Sequence, residues 1–583
     1  MKFQPDSSNH EFRQALELVK YTRQSLFLTG KAGTGKSTFL RYICDNVKKK
    51  HVVLAPTGIA AINAGGSTLH SFFRLPFHPL LPDDPNLSLQ RGRIHQFLRY
   101  TKQQRKLLEE LELIIIDEIS MVRADIIDTV DRILRVYSHN LRQPFGGKQL
   151  LLVGDVYQLE PVVKSDEREI LNRFYPNPFF FSARVFSQID LVSIELQKVY
   201  RQRDTAFVSV LDHIRHATLT DADLQTLNAR CGTQVEDSET DMYITLATRR
   251  NTVDYINERK LDALPGEAVV FQGKVEGDFP ASSLPTTRDL ELKPGAQIIF
   301  VKNDPDRRWV NGTIGVVSGF GTTDDVLYVI TDDGHECDVR PESWRNIRYK
   351  YDEEKKEITE EVLGTFTQYP VRLAWAITIH KSQGLTFSRA VVDLSGGAFA
   401  GGQTYVALSR CTSLEGLQLR APLRRSDVFV RPAITHFAQK FNNPQAIDRA
   451  LKEAQADIQY AEAARAFDRG DFEAFLPAFF KAIHARYDIE QPAAQRLIRR
   501  KLNIINRLRQ ENQRLRQEAV EKEKSLVKYA REYIQMGDEC LRLEMKDAAM
   551  RNYEKAVALC PKFKEAWTKI RKLEKEMRTT TPK

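Results

Sequence analysis

The chain has 583 residues, 42% of them hydrophobic and 28% charged, so it is too long for one hydrophobic core and too apolar to be disordered; three or four domains are expected. Lysine and arginine exceed aspartate and glutamate by 86 − 77 = 9, a basic balance that suits a polyanionic partner without identifying one. Six scattered cysteines with no C-x-x-C pair argue against a zinc ribbon, an iron–sulfur cluster or a disulfide framework, and no run of about 18 apolar residues spans a membrane. The N-terminal MKFQPDSSNHEF has neither an apolar signal core nor an arginine-rich amphipathic stretch, so a cytoplasmic location is expected.

The first element with chemical content is the apolar run Ser25–Thr29, predicted as a strand, which leads into Gly30-Lys-Ala-Gly-Thr-Gly-Lys36-Ser37 and a helical pattern from Thr38. That strand–loop–helix context is the one the phosphate loop requires. Gly33 and Gly35 let the backbone curl so that N–H groups of the segment Gly33, Thr34, Gly35, Lys36, Ser37 and Thr38 point at phosphates. Lys36 would reach the β- and γ-phosphates of ATP, and the Ser37 hydroxyl would ligate Mg²⁺.

Next comes a predicted strand at 52–55, followed by Thr57, Asn63, Ser67, His70 and Phe72 among glycines and alanines. Small hydroxyls and an aromatic ring suit backbone phosphates and base stacking, although a glycine-softened helix start accounts for the segment equally well. Leu113-Ile-Ile-Ile is a strand buried on both faces, and it delivers the paired carboxylates Asp117 and Glu118 at its C-terminal end. One would hold Mg²⁺ and the other would polarise the attacking water. A third buried strand, Gln149–Val153, ends in Gly154-Asp155-Val-Tyr-Gln158, where a glutamine can sense the γ-phosphate.

Farther along, Arg201 follows Tyr200, and a polar run from Thr378 carries His380, Lys381, Ser382 and Thr386 beside an apolar strand. Gly402 opens a short helical pattern that ends at Arg410. Either arginine could stabilise charge developing on a γ-phosphate.

Taken in order, the segments 30–37, 54–72, 117–120, 154–161, 200–202, 378–386 and 402–410 resemble the motifs of superfamily 1 helicases. The stretch DEISMVRADIIDTVDRILRVY (117–137) is similar to the signature of the PIF-type helicases, as are Pro144–Lys148 and Asn311–Gly315, and the likeness extends over about residues 9–425. The resemblance implies an α/β fold of two RecA-like P-loop lobes, with a small β wedge insertion and an SH3-like β insertion. The lobes would be residues 1–190, and 191–295 with 371–430; the wedge would be 74–110, the SH3-like insertion 296–370, and an all-α region 440–583. It further implies ATP-dependent 5′→3′ movement on single-stranded DNA, action at single/double-strand junctions, and unwinding of duplex or folded DNA. Catalytic roles pass to Lys36, Asp117, Glu118, Gln158, Arg201 and Arg410, with Ser37 and Asp117 on Mg²⁺. The DNA path would run over Thr57, Ser67, His70, Phe72, His380, Lys381, Ser382 and Thr386. The family's adenine-reading Glu-Gln pair is not evident; Asn9 is assigned that place. Glu160 stands where a proline is usual, and Ala217 where a glycine is usual.

Beyond residue 440 no motor motif appears. From Ala530 the chain resembles one tetratricopeptide repeat, with Tyr533, Gly537, Ala549, Tyr553, Ala556 and Pro561 at its small, aromatic and breaker positions, and Gly470–Ala482 gives a weaker echo. So few copies cannot bury a continuous core, so packing against the motor or a protein partner is expected. Ile498, Ile505, Leu508, Asn512, Leu515 and Ala519 are spaced either as a coiled coil or as a long amphipathic connector with a solvated basic face. The chain is expected to be a monomer. Two other readings of the whole are a DNA-bound adaptor acting through its C-terminal repeat, and the motor subunit of a recombination complex.

Overall fold

A computed structural model describes residues 9–76, 78–87, 93–200, 204–232, 242–306, 308–321, 325–352, 354–355, 357–398, 400–487, 490 and 492–579. Two compact units divide the chain, Met1–Ala485 and Arg486–Lys583.

The first lobe is built on a six-stranded, wholly parallel sheet. Its strands run Ser67–Thr68, His51–Ala55, Leu113–Ile116, Gln149–Val153, Leu26–Gly30, Val192–Leu196 across the sheet. The buried apolar runs explain why. Because strand side chains alternate, Phe27, Val52, Leu54, Ile114, Ile116, Leu150 and Leu152 fill the core on one face. Leu26, Leu28, Val53, Leu113, Ile115, Leu151 and Val153 fill the core on the other. Both faces must therefore be covered, by helices Lys36–Asn46 and Ala124–Tyr137 among others. The last strand lies beyond the boundary read at residue 190: Val192–Leu196 pairs in parallel along all of Leu26–Gly30.

The second lobe holds a four-stranded parallel sheet in the order Ala376–Thr378, Ile244–Ala247, Ala390–Asp393, Leu417–Leu419. Between its strands the chain leaves to form a five-stranded antiparallel sheet, Glu336–Val339, Leu327–Thr331, Ile314–Phe320, Gln297–Phe300, Val371–Leu373. The β insertion also starts earlier than residue 296. Lys274–Gly277 pairs with the long hairpin Glu342–Asp352/Glu357–Gln368, and Val269–Gln272 pairs with Asp289–Leu292. That hairpin reaches the first lobe, where Ile347, Tyr349 and Tyr351 join its core and the Val53 amide donates to the Tyr349 hydroxyl at 3.3 Å.

The expected β wedge is helical instead. Among the described residues of 74–110 there are helices Arg93–Leu98 and Lys102–Glu110 and a single turn at Pro85–Leu87, with no strand. The apolar spacing of Leu107, Leu108 and Leu111 buries one helical face, and Thr101 caps the second helix with Gln104 in a capping box.

The helical region divides at residue 485 rather than standing as one block. Helix Pro444–Arg469 sends Ile447 and Ala450 into the first-lobe core beside Phe12, Leu18 and Val19 of helix His10–Tyr21, and Phe437 stacks on Phe181 at 4.3 Å. The second unit has helices Pro492–Arg542, Lys546–Leu559 and Lys564–Thr579 around a core of Ala530, Ile534, Ala549, Tyr553, Ala556, Ala566, Ile570 and Leu573. Gly537 is needed there, because a Cβ would come within 2.5 Å of the Tyr553 ring. Among the described residues no helix is long and apolar enough to cross a membrane.

Candidate nucleotide site and nucleic-acid interface

A cleft of about 580 Å³ opens between the two parallel sheets. Gly33, Thr34, Gly35, Lys36, Ser37, Thr38, Asp117, Glu118 and Gln158 line it from the first lobe, and Gly384 and Arg410 from the second. Residues far apart in sequence thus meet in one place. The loop can curl because Gly33 and Gly35 hold φ of 81° and 90°, conformations that cost an L side chain strain. Gly30 is constrained by space as well: a Cβ would sit 2.8 Å from the Leu196 carbonyl. The Lys36 ammonium lies back in the loop, donating to the carbonyls of Gly30 at 2.6 Å and Lys31 at 3.0 Å.

At the end of Leu113–Ile116, Glu118 adopts a left-handed backbone (φ 50°), and its amide donates to the Asp117 carboxylate at 2.9 Å. Burial raises the pKa of Asp117, and the neighbouring Glu118 charge raises it further. Burial raises that of Glu118 too, opposed by Lys36 and Arg410. Two adjacent, half-buried carboxylates across from a lysine and an arginine form a site that gains from added positive charge. Hard oxygen donors of this kind, with the Ser37 hydroxyl in the same cleft, fit a divalent cation such as Mg²⁺.

The second lobe completes the cleft. Arg410, 2% exposed, is held by its own helix and the next turn, donating to Val406 O at 3.0 Å, Leu385 O at 3.3 Å and Ser382 O at 3.4 Å. Tyr405 reaches across and accepts from the Ala32 amide of the loop at 3.0 Å. Lys31 of the loop pairs with Asp212. Gly402 must be glycine here, since a Cβ would meet the Tyr157 and Gln158 carbonyls at 2.3 Å.

Sequence reasoning missed Arg215, which fastens the two lobes. It is 1% exposed and extends from helix Thr205–His216, whose other residues fill the second-lobe core. It donates to Asp155 at 3.0 Å, pairs with Glu195 at 2.7 Å, and lies 4.4 Å over the Tyr157 ring. Only its place in an otherwise apolar helix face could have signalled it. Tyr200 was also read only as a neighbour of Arg201. Its amide donates to Gly33 O at 2.9 Å and its ring faces Gly35. Arg201 itself lies outside the described residues. Asn9 does not line the cleft. It caps helix His10–Tyr21 through the Phe12 amide at 3.0 Å and donates to the Tyr200 hydroxyl at 3.4 Å, while Phe12 takes the lining position.

The groups expected on a DNA path fall into two sets. In each lobe a threonine at or just past a strand end caps the next turn: Thr57 accepts from Ala60 N at 3.3 Å, and Thr378 from Lys381 N at 3.3 Å. Lys381 is exposed, and its pKa is lowered by partial burial and then by the charges of Arg372 and Arg250, while Asp254, itself paired with Arg250, opposes them. His70 and His380 are half-buried, and burial lowers both below the usual histidine value, so each ring favours its neutral form. Thr386 is half-buried against the Gly312 turn of the β insertion. Ser382 does not face this surface: it is fully buried and donates to Ile379 O at 2.8 Å. Ser67 is 7% exposed on the edge strand. Phe72 is no open stacking platform, for its ring packs edge-on against Phe73 at 4.8 Å and Tyr349 at 6.1 Å.

Comparison with known proteins agrees with this arrangement. A family profile described as PIF1-like helicase matches residues 7–223. The ATP-dependent DNA helicase PIF1 of Homo sapiens is 35% identical over 426 residues, covering 71% of this chain and 61% of the human protein. The ATP-dependent DNA helicase Pif1 of Bdellovibrio bacteriovorus is 32% identical over 439 residues, covering 74% of this chain and 91% of that one. Bacteroides Pif1 in complex with ADP-AlF4 superposes with a TM-score of 0.68 at 39% identity, over 74% of this chain and 96% of that one. Bacteroides Pif1 bound to ssDNA gives 0.54 at 39% identity, over 75% and 97%. On this identity over nearly the whole length of the shorter relatives, the chain belongs to the PIF1-like helicase family.

Proposed function

We propose that this chain is an ATP-dependent DNA helicase that moves 5′→3′ on single-stranded DNA and opens duplex or folded DNA at junctions. The observation that carries the reading is the cleft itself. Lys36, Asp117, Glu118 and Gln158 from one lobe face Arg410 from the other across a single cleft. The ADP-AlF4 and ssDNA complexes of the Bacteroides relative support it.

In this mechanism Lys36 leaves the loop carbonyls for the phosphates, where its charge is better matched. Ser37 and Asp117 would hold Mg²⁺, which when bound neutralises charge on the β- and γ-phosphates. Glu118 accepts a proton from the attacking water; burial raises its pKa and so makes it a stronger base. Arg410 adds positive charge only when the lobes close on the γ-phosphate. Closure and release then shift the two threonine-capped turns relative to each other along the DNA backbone. Arg201 is proposed as a second finger on the resemblance alone.

Unwinding of duplexes carrying only a 5′ or only a 3′ single-stranded tail, with ATP and Mg²⁺, tests this reading. Opening of the 5′-tailed substrate alone is expected, and opening of the 3′-tailed substrate alone would overturn it. Lys36→Ala should abolish hydrolysis while single-strand binding persists.

A further inference from the structure

Helix Pro492–Arg542 runs for 51 residues, roughly 75 Å at the α-helical rise, and enters the core of its unit only from Ala530 onward. Before that point it leaves large aliphatic side chains in water: Ile498, Leu502, Leu508 and Leu515 are 42%, 51%, 58% and 54% exposed. A single solvated connector has no use for such residues.

A regular seam runs through the middle of the helix: Ile505, Leu508, Asn512, Leu515 and Ala519 step by three, four, three and four, the 3.5-residue repeat of a two-stranded coil, with the exposed Leu502 and Ile504 flanking it at e and g positions. With Ile505, Asn512 and Ala519 at the a positions and Leu508 and Leu515 at d, Arg509 and Arg516 take the e positions, and Glu511 and Glu518 the g positions. In a parallel pair each g residue faces the e residue of the following heptad on the other strand, so Glu511 meets Arg516, and symmetry makes the contact twice. In an antiparallel pair e faces e and g faces g, which sets arginine against arginine and glutamate against glutamate. Asn512 at a adds the polar pair that fixes register and two-strandedness, at some cost in stability. The seam has definite ends: Lys501 and Lys522 fall on d positions, and Glu518 would face Glu523. Glu518 is already paired within its own helix to Arg514 at 3.3 Å. Arg499, Arg500, Arg507 and Arg514 fall on outward b and c positions, where a zipper leaves them solvated.

We propose that residues 505–519 are a short parallel coiled coil joining this chain to a second copy of itself, so that two motors are held with their C-terminal helices running in the same direction.

The full-length protein without DNA should sediment as twice its 66.9 kDa chain mass at roughly 50 µM, a concentration set high because the seam spans only about two heptads. L508D/L515D changes only exposed positions and should give the 66.9 kDa species with unaltered circular dichroism and ATPase activity. Glu511→Arg alone or Arg516→Glu alone should weaken the dimer, and the double exchange should restore it. Oxidised Leu515→Cys should cross-link to itself, as a parallel seam requires and wild type treated alike does not show. A wild-type monomer, a dimer that survives L508D/L515D, or a double exchange that fails to rescue would overturn the proposal. So would a monomeric wild type whose single-strand affinity falls when Arg499, Arg500 and Arg507 are replaced, which would make the helix a DNA contact.

Discussion

The two walls of the nucleotide cleft are built in different ways. The first-lobe wall is local: each functional group follows a buried parallel strand within a few residues, Asp117 directly after Leu113–Ile116 and Lys36 six residues after Leu26–Gly30. The second-lobe wall is assembled at long range. Arg410 leans on carbonyls from Ser382 and Leu385, Tyr405 reaches the Ala32 amide, and Arg215 crosses to Asp155 and Glu195. A wall fixed by its own strands keeps its backbone in place even where a side chain such as Lys36 turns toward the phosphates. A wall held by side chains crossing an interface can change with the nucleotide, and such interfaces convert chemistry into movement.

The largest test of that difference is Arg410→Ala. If Arg410 meets charge only in the closed state, its loss should slow hydrolysis by about 10³-fold while leaving ATP binding nearly unchanged, as for other arginine fingers. Steady-state ATPase rates with equilibrium binding of a labelled nucleotide measure both quantities. Equal losses of binding and rate would show Arg410 to be part of a fixed wall like the first. Next comes Arg215→Met, which strands Asp155 (0% exposed) and Glu195 without their cation. Breaking a buried pair in this way costs about 3 kcal/mol, read as a lower unfolding midpoint in denaturant. Replacing both partners, R215M/D155N, should recover part of that loss; no recovery would mean that the stacking on Tyr157 carries the contact instead.

This asymmetry also decides what could be read from the sequence. The first wall was legible because its chemistry is contiguous, so Gly33 to Thr38 and Asp117-Glu118 state their roles within a few residues of the strands that present them. The parallel sheets followed from apolar runs such as Leu113-Ile-Ile-Ile, and the all-helical C-terminal region followed from the helical composition beyond residue 440. What stayed hidden depended on contacts between distant segments. Arg215 reads as a surface arginine until its helix is packed. Ser382 reads as a ligand until it proves buried, and Phe72 as a stacking platform until Tyr349 arrives from the β insertion. The insertion at 74–110 was expected to be β from the family resemblance, whereas the spacing of Leu107, Leu108 and Leu111 after the prolines at 76, 79, 82 and 85 is helical.

A smaller effect is expected at the rim. Glu160, where a proline is usual, is paired by Arg431 through two bonds of 3.1 Å and 3.0 Å, and that pair ties the first-lobe segment to the chain after the second lobe. Arg431 is partly solvated, so Glu160→Ala should cost no more than about 1 kcal/mol, and the cost should shrink in high salt. A salt-independent loss would place the pair among the buried interface contacts with Arg215.

The smallest effect has the opposite sign. Ala217 ends helix Thr205–His216 with φ 54°, the left-handed conformation that a glycine adopts freely, while its amide and that of Thr218 close the helix onto Ile214 O and His213 O. Its side chain meets a conformational penalty of about 1 kcal/mol, partly offset because alanine also restricts the unfolded chain. Ala217→Gly should therefore stabilise the lobe by about 0.5 kcal/mol, seen as a higher midpoint in chemical unfolding. Because this turn directly follows Arg215, the variant also asks whether the fastening across the cleft needs a stiff helix end. A gain in stability with slower hydrolysis would show that the alanine holds Arg215 in place at the expense of local strain. A gain with no change in rate would show that the fastening is set by Asp155, Glu195 and Tyr157 alone.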